Sequence, residues 1–152
     1  MSSRLRSVLY VAFTLLIFLF LLLTDHVTAQ QKPEAAADKH LGTWKLVSTK
    51  YGEAKEFSQR PDTSTRLKLI NGTHFTWLEI DTNTKKVLGS AGGHYSLVGN
   101  AYTETIEFAG EGMEAYLGKP QKFTIKVQGD KLFQSGELSD GLKLEENWER
   151  VK

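Results

Sequence analysis

A carboxylate stands on the apolar side of a strand in the stretch GGHYSLVGNAYTETIEF, residues 92–108. In an extended chain, alternation puts Tyr102, Glu104, Ile106 and Phe108 on one face, and Thr103, Thr105 and Glu107 on the other. Folding back through Gly99-Asn100 sets Leu97 opposite Tyr102 and Tyr95 opposite Glu104. A carboxylate among apolar side chains must find a partner or give up its charge. Tyr95 and Tyr102 each carry a phenolic donor that can supply one. Two roles stay open: a polar cluster that orients a ligand's hydroxyl, amide or amine, or a Tyr–Glu network that fixes register and seals the interior. General acid–base chemistry needs a second positioned group, and none accompanies this cluster.

Other candidates are weaker. Leu142, Leu144, Glu146, Trp148 and Arg150 share a face of the last strand, where Glu146 reads as half of a salt bridge or as a ligand contact. Phe75, Trp77, Tyr95, Tyr102, Phe108, Tyr116 and Phe123 fit either a pocket lining or an ordinary core. His40, His74 and His94 lack metal-ligand spacing, and the chain has no cysteine, so no metal or cofactor is expected. No nucleophile elbow or phosphate-cradling glycine loop is present. Asn71-Gly72-Thr73 matches the N-glycosylation pattern in an exposed turn.

The elements that would hold these residues are strands and tight turns. LGTWKLVSTKY opens the domain, and GEAKEFSQRPDTS is a long connection with a helix-capable half ended by Pro61. TRLKLI and HFTWLEID pair across Asn71-Gly72; KVLGSAG, the Gly99-Asn100 hairpin, QKFTIKVQ with KLFQSGEL, and LKLEENWERV follow. EGMEAYLGKP has room for a short strand, and the glycines of "AGG" (91–93) suit a bend. The sequence predicts an all-β fold: an antiparallel up-and-down β-barrel of eight to ten strands, which removes exposed edges. A sandwich is the alternative. Facing in the first hairpin depends on its turn. A two-residue turn puts His74, Thr76, Leu78 and Ile80 with Leu67 and Leu69; a bulged three-residue turn puts Phe75 and Trp77 there, and we expect the second.

The chain has 152 residues, 19 basic and 18 acidic. Residues 1–29 combine Arg4 and Arg6, an apolar run from Val8 to Leu23 and the small-residue motif Val27-Thr28-Ala29, and read as a signal peptide cleaved after Ala29. An uncleaved membrane anchor is the alternative. Cleavage takes away Arg4, Arg6 and Asp25, leaving 17 residues of each sign. Residues 30–40 are a polar tether, and residues 41–152 the barrel domain. With no basic stripe, neither nucleic acid nor, after signal removal, a membrane surface is an expected partner. Export to the periplasm or the medium is the expected destination.

Gly42-Thr43-Trp44 opens the first strand and Trp148-Glu149-Arg150 closes the last. This pattern resembles the calycin superfamily of lipocalins and fatty-acid-binding proteins. THFTW, GGHYSLVGNAYTETIEF and WERV are also similar to small secreted bacterial lipocalin-like domains, over roughly Leu41 to Val151. The resemblance implies that Trp44 plugs one barrel end with Arg150 across its ring, as cation–π attraction would favour. The other lipocalin loop signatures are absent, as is the longer Gly-rich start of haem-binding nitrobindin-like barrels, so the resemblance implies a fold more than a ligand. The functional expectation is an exported barrel holding a small hydrophobic or amphipathic molecule. Glu104, Tyr95 and Tyr102 would sit at its polar end, with Trp77, Phe75 and Phe108 along its body. The alternatives are an enzyme using Glu104, Tyr95 and Tyr102 as an acid–base cluster, and a filled barrel acting through its loops.

Overall fold

The computed structural model describes residues 38–152. The expected signal segment and most of the tether lie outside the described residues. From the short turn at Asp38–His40 the chain enters β1 (Gly42–Tyr51), a two-residue strand β2 (Ser58–Gln59), β3 (Ser64–Ile70) and β4 (His74–Asp81). β5 (Val87–Val98) and β6 (Ala101–Ala109) follow, then one 3-10 turn at Glu114–Tyr116, β7 (Pro120–Gln128), β8 (Lys131–Glu137) and β9 (Lys143–Arg150). Every pairing is antiparallel, in the order β2-β1-β3-β4-β5-β6-β7-β8-β9, and β1 also pairs with β9. Eight strands thus close a barrel, and β2 pairs beside β1 at Ser48–Thr49. The expected helix-capable connection after Tyr51 holds β2 instead, and the segments expected as two strands before Gly99 form the single strand β5.

The β5–β6 turn follows its sequence closely. Gly99 has φ +62°, a value that glycine reaches without strain, and Leu97 meets Tyr102 while Tyr95 meets Glu104. Further along, the register shifts between Gly92 and Gly93, where Glu107 forms a bulge. Only glycine fits there, because a Cβ on Gly93 would stand 2.0 Å from the Thr105 carbonyl oxygen.

That bulge corrects one expectation. Phe108 does not share the inward face of Tyr102, Glu104 and Ile106. One extra residue turns it outward, where it is 51% exposed, and it pairs with Gly92.

The first hairpin brings a second correction. Asn71 Oδ1 accepts from the backbone N–H groups of Thr73 (2.9 Å) and His74 (2.7 Å), and the Asn71 N–H donates to the His74 carbonyl (2.9 Å). Pairing therefore starts at Ile70 with Phe75 and continues through Lys68 with Trp77 and Arg66 with Glu79. Phe75 and Trp77 do face inward, but opposite Ile70 and Lys68. Leu67 and Leu69 pair with Leu78 and Thr76 on the outer wall, and Leu69 is 40% exposed. β3 thus turns its basic residues into the barrel.

Trp44, Leu46, Ile70, Phe75, Ala91, Ile106, Leu132 and Trp148 form the larger apolar cluster; Tyr102, Phe123, Ile125 and Leu144 form a second. Between them lies a set of buried polar groups.

Candidate functional site

Three cations and three carboxylates meet inside this barrel: Arg60, Arg66 and Lys68 with Glu79, Glu104 and Glu146. Lys68 is only 2% exposed. Its Nζ donates to Glu104 Oε1 and to Gln134 Oε1, each at 2.8 Å. The ring centroids of Trp148, Phe75 and Tyr102 lie 5.2, 5.8 and 5.9 Å from it, within reach of cation–π attraction. Burial pushes the Glu104 carboxyl up, and the Lys68 charge and hydrogen bond oppose that rise.

Nearer the open end, Arg66 Nε donates to Glu79 Oε2 (2.6 Å), and its guanidinium lies 4.7 Å from the Trp77 ring. Arg60 also pairs with Glu79. Burial acts to raise Glu79, yet the Ser64 hydrogen bond and the Arg66 and Arg60 charges outweigh it and hold the carboxyl below its ordinary range. The Tyr51 hydroxyl donates to Glu146 Oε1 at 2.5 Å; burial, then the Glu146 charge, pushes that phenol up. A bulge at Val47, where the β1–β9 register shifts, brings Tyr51 opposite Leu144.

These groups edge a cavity of about 220 Å³. Lys68, Glu104 and Gln134 form its polar depth, and Arg66, Tyr51 and Glu146 one side. Trp77, Phe123, Leu144 and Trp148 supply apolar wall, while Met113, Tyr116, Leu138 and Leu142 come from the loops at the mouth. Those loops are tied together. The Tyr116 hydroxyl donates to Asp140 Oδ2 at 2.5 Å, and Gln121 holds Ser139 through both ends of its amide. The buried Trp148 Nε1–H lacks a hydrogen-bond partner, while the Tyr102 hydroxyl interacts with the Glu104 carboxylate. Native interiors rarely leave such groups unsatisfied.

The expected site residues separate. Glu104 and Trp77 line the cavity. Tyr102 is fully buried beside Glu104, and burial, then the Glu104 charge, raises its phenol far above the ordinary value. Tyr95 does not partner Glu104. Its hydroxyl donates to the Asn71 carbonyl at 2.7 Å and stands 2.8 Å from His40 Nε2, because that side chain runs toward the β3–β4 turn. Phe75 packs in the larger apolar cluster beside Lys68, and Phe108 is outside. Arg150 lies 4.1 Å from the Trp44 ring centroid and donates to the carbonyls of Leu41 (2.7 Å) and Lys39 (2.6 Å), while Trp44 Nε1 donates to the His40 carbonyl (2.8 Å).

Sequence reasoning missed Lys68, Arg66, Gln134 and Tyr51. A signal for the first two was present: inward carboxylates require inward cations, and Arg66 and Lys68 alternate on one strand. His74 and His94 pair across β4 and β5 on the exposed surface, and His94 Nδ1 lies 2.7 Å from Glu107 Oε1. Among the described residues no cluster of three metal-ligating side chains is disposed to hold an ion.

No protein-family model matches the chain. No curated protein matches it in sequence. Solved structures do match in fold. A lipocalin-like protein from Bacteroides uniformis aligns with TM-score 0.55 at 13% identity, over 74% of this chain and 99% of its own. An uncharacterized protein from Bacteroides eggerthii aligns with TM-score 0.51 at 13% identity, over 73% of this chain and 98% of its own. In its closed antiparallel strands the chain shares the fold of these lipocalin-like barrels.

Proposed function

We propose that the protein is an exported binding barrel for a small, neutral, amphipathic molecule. The observation that carries this reading is the cavity itself: open at one end, walled by indole, phenyl and leucine side chains, and polar in its depth. Its volume of about 220 Å³ lies below the roughly 300–1,000 Å³ of drug-sized sites, so the ligand is small. Neutrality follows from the charge balance. Each buried cation in the network has a carboxylate nearby, and a charged ligand would leave one ion uncompensated. The donor without a partner, on Trp148, favours a ligand with an acceptor oxygen at its polar end. The segment before residue 30 supports export.

Titration with straight-chain primary alcohols of increasing length, followed by tryptophan fluorescence, tests this. Trp77 and Trp148 line the cavity and report its filling. Affinity should rise by about 0.8 kcal/mol per methylene until the cavity is full, then stop rising. A change that never saturates, or an affinity indifferent to chain length, would sink the proposal.

A further inference from the structure

We propose that Lys68 captures carbonyl ligands covalently: its amine condenses with the carbonyl carbon of a small amphipathic aldehyde in the cavity, while Glu104 carries the proton. This rests on the binding reading above and names a ligand class for the same site.

Lysine normally keeps its ammonium in water at the end of a flexible stem. Lys68 does the reverse. It is 2% exposed and yet stands among the residues that line the cavity. Glu104 Oε1 stands 2.8 Å from Nζ, the distance at which a proton can pass directly between them. Burial raises the Glu104 carboxyl, which favours its taking up that proton.

The chemistry balances without an outside oxidant or reductant. Glu104 takes a proton from the ammonium, and the freed lone pair on Nζ bonds to the carbonyl carbon. The carbonyl oxygen receives the Glu104 proton and becomes a hydroxyl, giving a protonated carbinolamine. Glu104 then removes a proton from nitrogen and hands it to that hydroxyl, which leaves as water while the C=N bond forms. The product is a protonated imine on Lys68 beside an ionised Glu104. Its charge equals that of the starting ammonium, so the balance of three cations against three carboxylates is kept. Its remaining N–H can still meet Glu104 or Gln134.

The test exposes the folded protein to octanal with cyanoborohydride, which turns an imine into a permanent secondary amine, and maps the octyl group by peptide mass spectrometry. Lys68 should be labelled at least about tenfold faster than the exposed Lys55 and Lys131, the reverse of their accessibility. Glu104→Gln should slow labelling of Lys68 by at least about tenfold after correction for that variant's own 1-octanol affinity. If 1-octanol binds the wild type but Lys68 stays unlabelled while surface lysines react, covalent capture is overturned and the binding barrel stands. If 1-octanol does not bind and Lys68 is unlabelled, both fall. Should Glu104→Gln fail to fold, the wild-type peptide map alone decides.

Discussion

Replacing Glu104 by Gln removes one charge and almost no volume. Lys68 then keeps its hydrogen bond to Gln134 Oε1 at 2.8 Å, and the new amide oxygen can accept a second. What it loses is the compensating charge, at a site where Lys68 and Glu104 are only 2% and 4% exposed. Breaking a buried pair from one side costs about 3–5 kcal/mol; the retained acceptor places this case at the lower end, about 3 kcal/mol. That is on the order of a hundredfold in the folded-to-unfolded ratio. The decisive comparison adds Lys68→Met, alone and combined with Glu104→Gln. The double variant buries neither ion, so its loss should be smaller than the sum of the single losses by about 2–3 kcal/mol. Urea unfolding at pH 7, followed by tryptophan fluorescence, measures all four proteins. A Glu104→Gln loss below about 1 kcal/mol, or strictly additive single losses, would mean that no buried ion pair is present.

Three further outcomes are expected. Trp44→Ala should destabilise by roughly 3–5 kcal/mol, because the indole is fully buried, hydrogen-bonded and covered by Arg150; thermal unfolding that barely moves would contradict this. Glu79→Gln should flatten the acid limb of stability. The folded carboxyl lies below its ordinary 4.5, so its stabilisation is present above that pH and disappears as pH falls through the lowered value, a slope the variant should lack in denaturation run from pH 6 to 3. Gly93→Ala should cost roughly 1–3 kcal/mol by pressing a methyl into the Thr105 carbonyl, whereas Gly72→Ala, with nothing within 4 Å, should change stability by less than about 0.5 kcal/mol. Equal effects of the two glycine substitutions would dismiss the bulge as the reason for Gly93.

How legible all this was in the sequence varies along the chain. The Gly99-Asn100 turn, the β5–β6 register near it and the inward Glu104 follow from local rules, because two-residue hairpins couple turn chemistry directly to facing. The Trp44 and Arg150 positions follow from a motif. Legibility ends where side chains rewrite the backbone. Asn71 Oδ1 captures two N–H groups and fixes the pairing of Ile70 with Phe75, so the apparent pattern of TRLKLI is inverted and its leucines face out. One bulge residue at Glu107 ejects Phe108 in the same way. Alternation counts residues faithfully but cannot see an insertion in the count. Lys68 was hidden for a related reason. A lysine between two leucines reads as solvated until the three acids inside the wall are added up.

The closure of β1 on β9 has a consequence for how the molecule is made. β1 pairs with β3 from Gly42 to Lys45, but its seam with β9 joins Trp44 to Arg150, the far end of the domain. On a ribosome the first strand is therefore synthesised long before its second neighbour exists, and loop closure over that separation is slow. Until the last strand arrives, β1 and β8 present bare edges able to recruit strands from other chains. Shortening the chain by the whole of β9, from Lys143 onward, would leave that state permanent: an open, sticky sheet in place of a closed barrel.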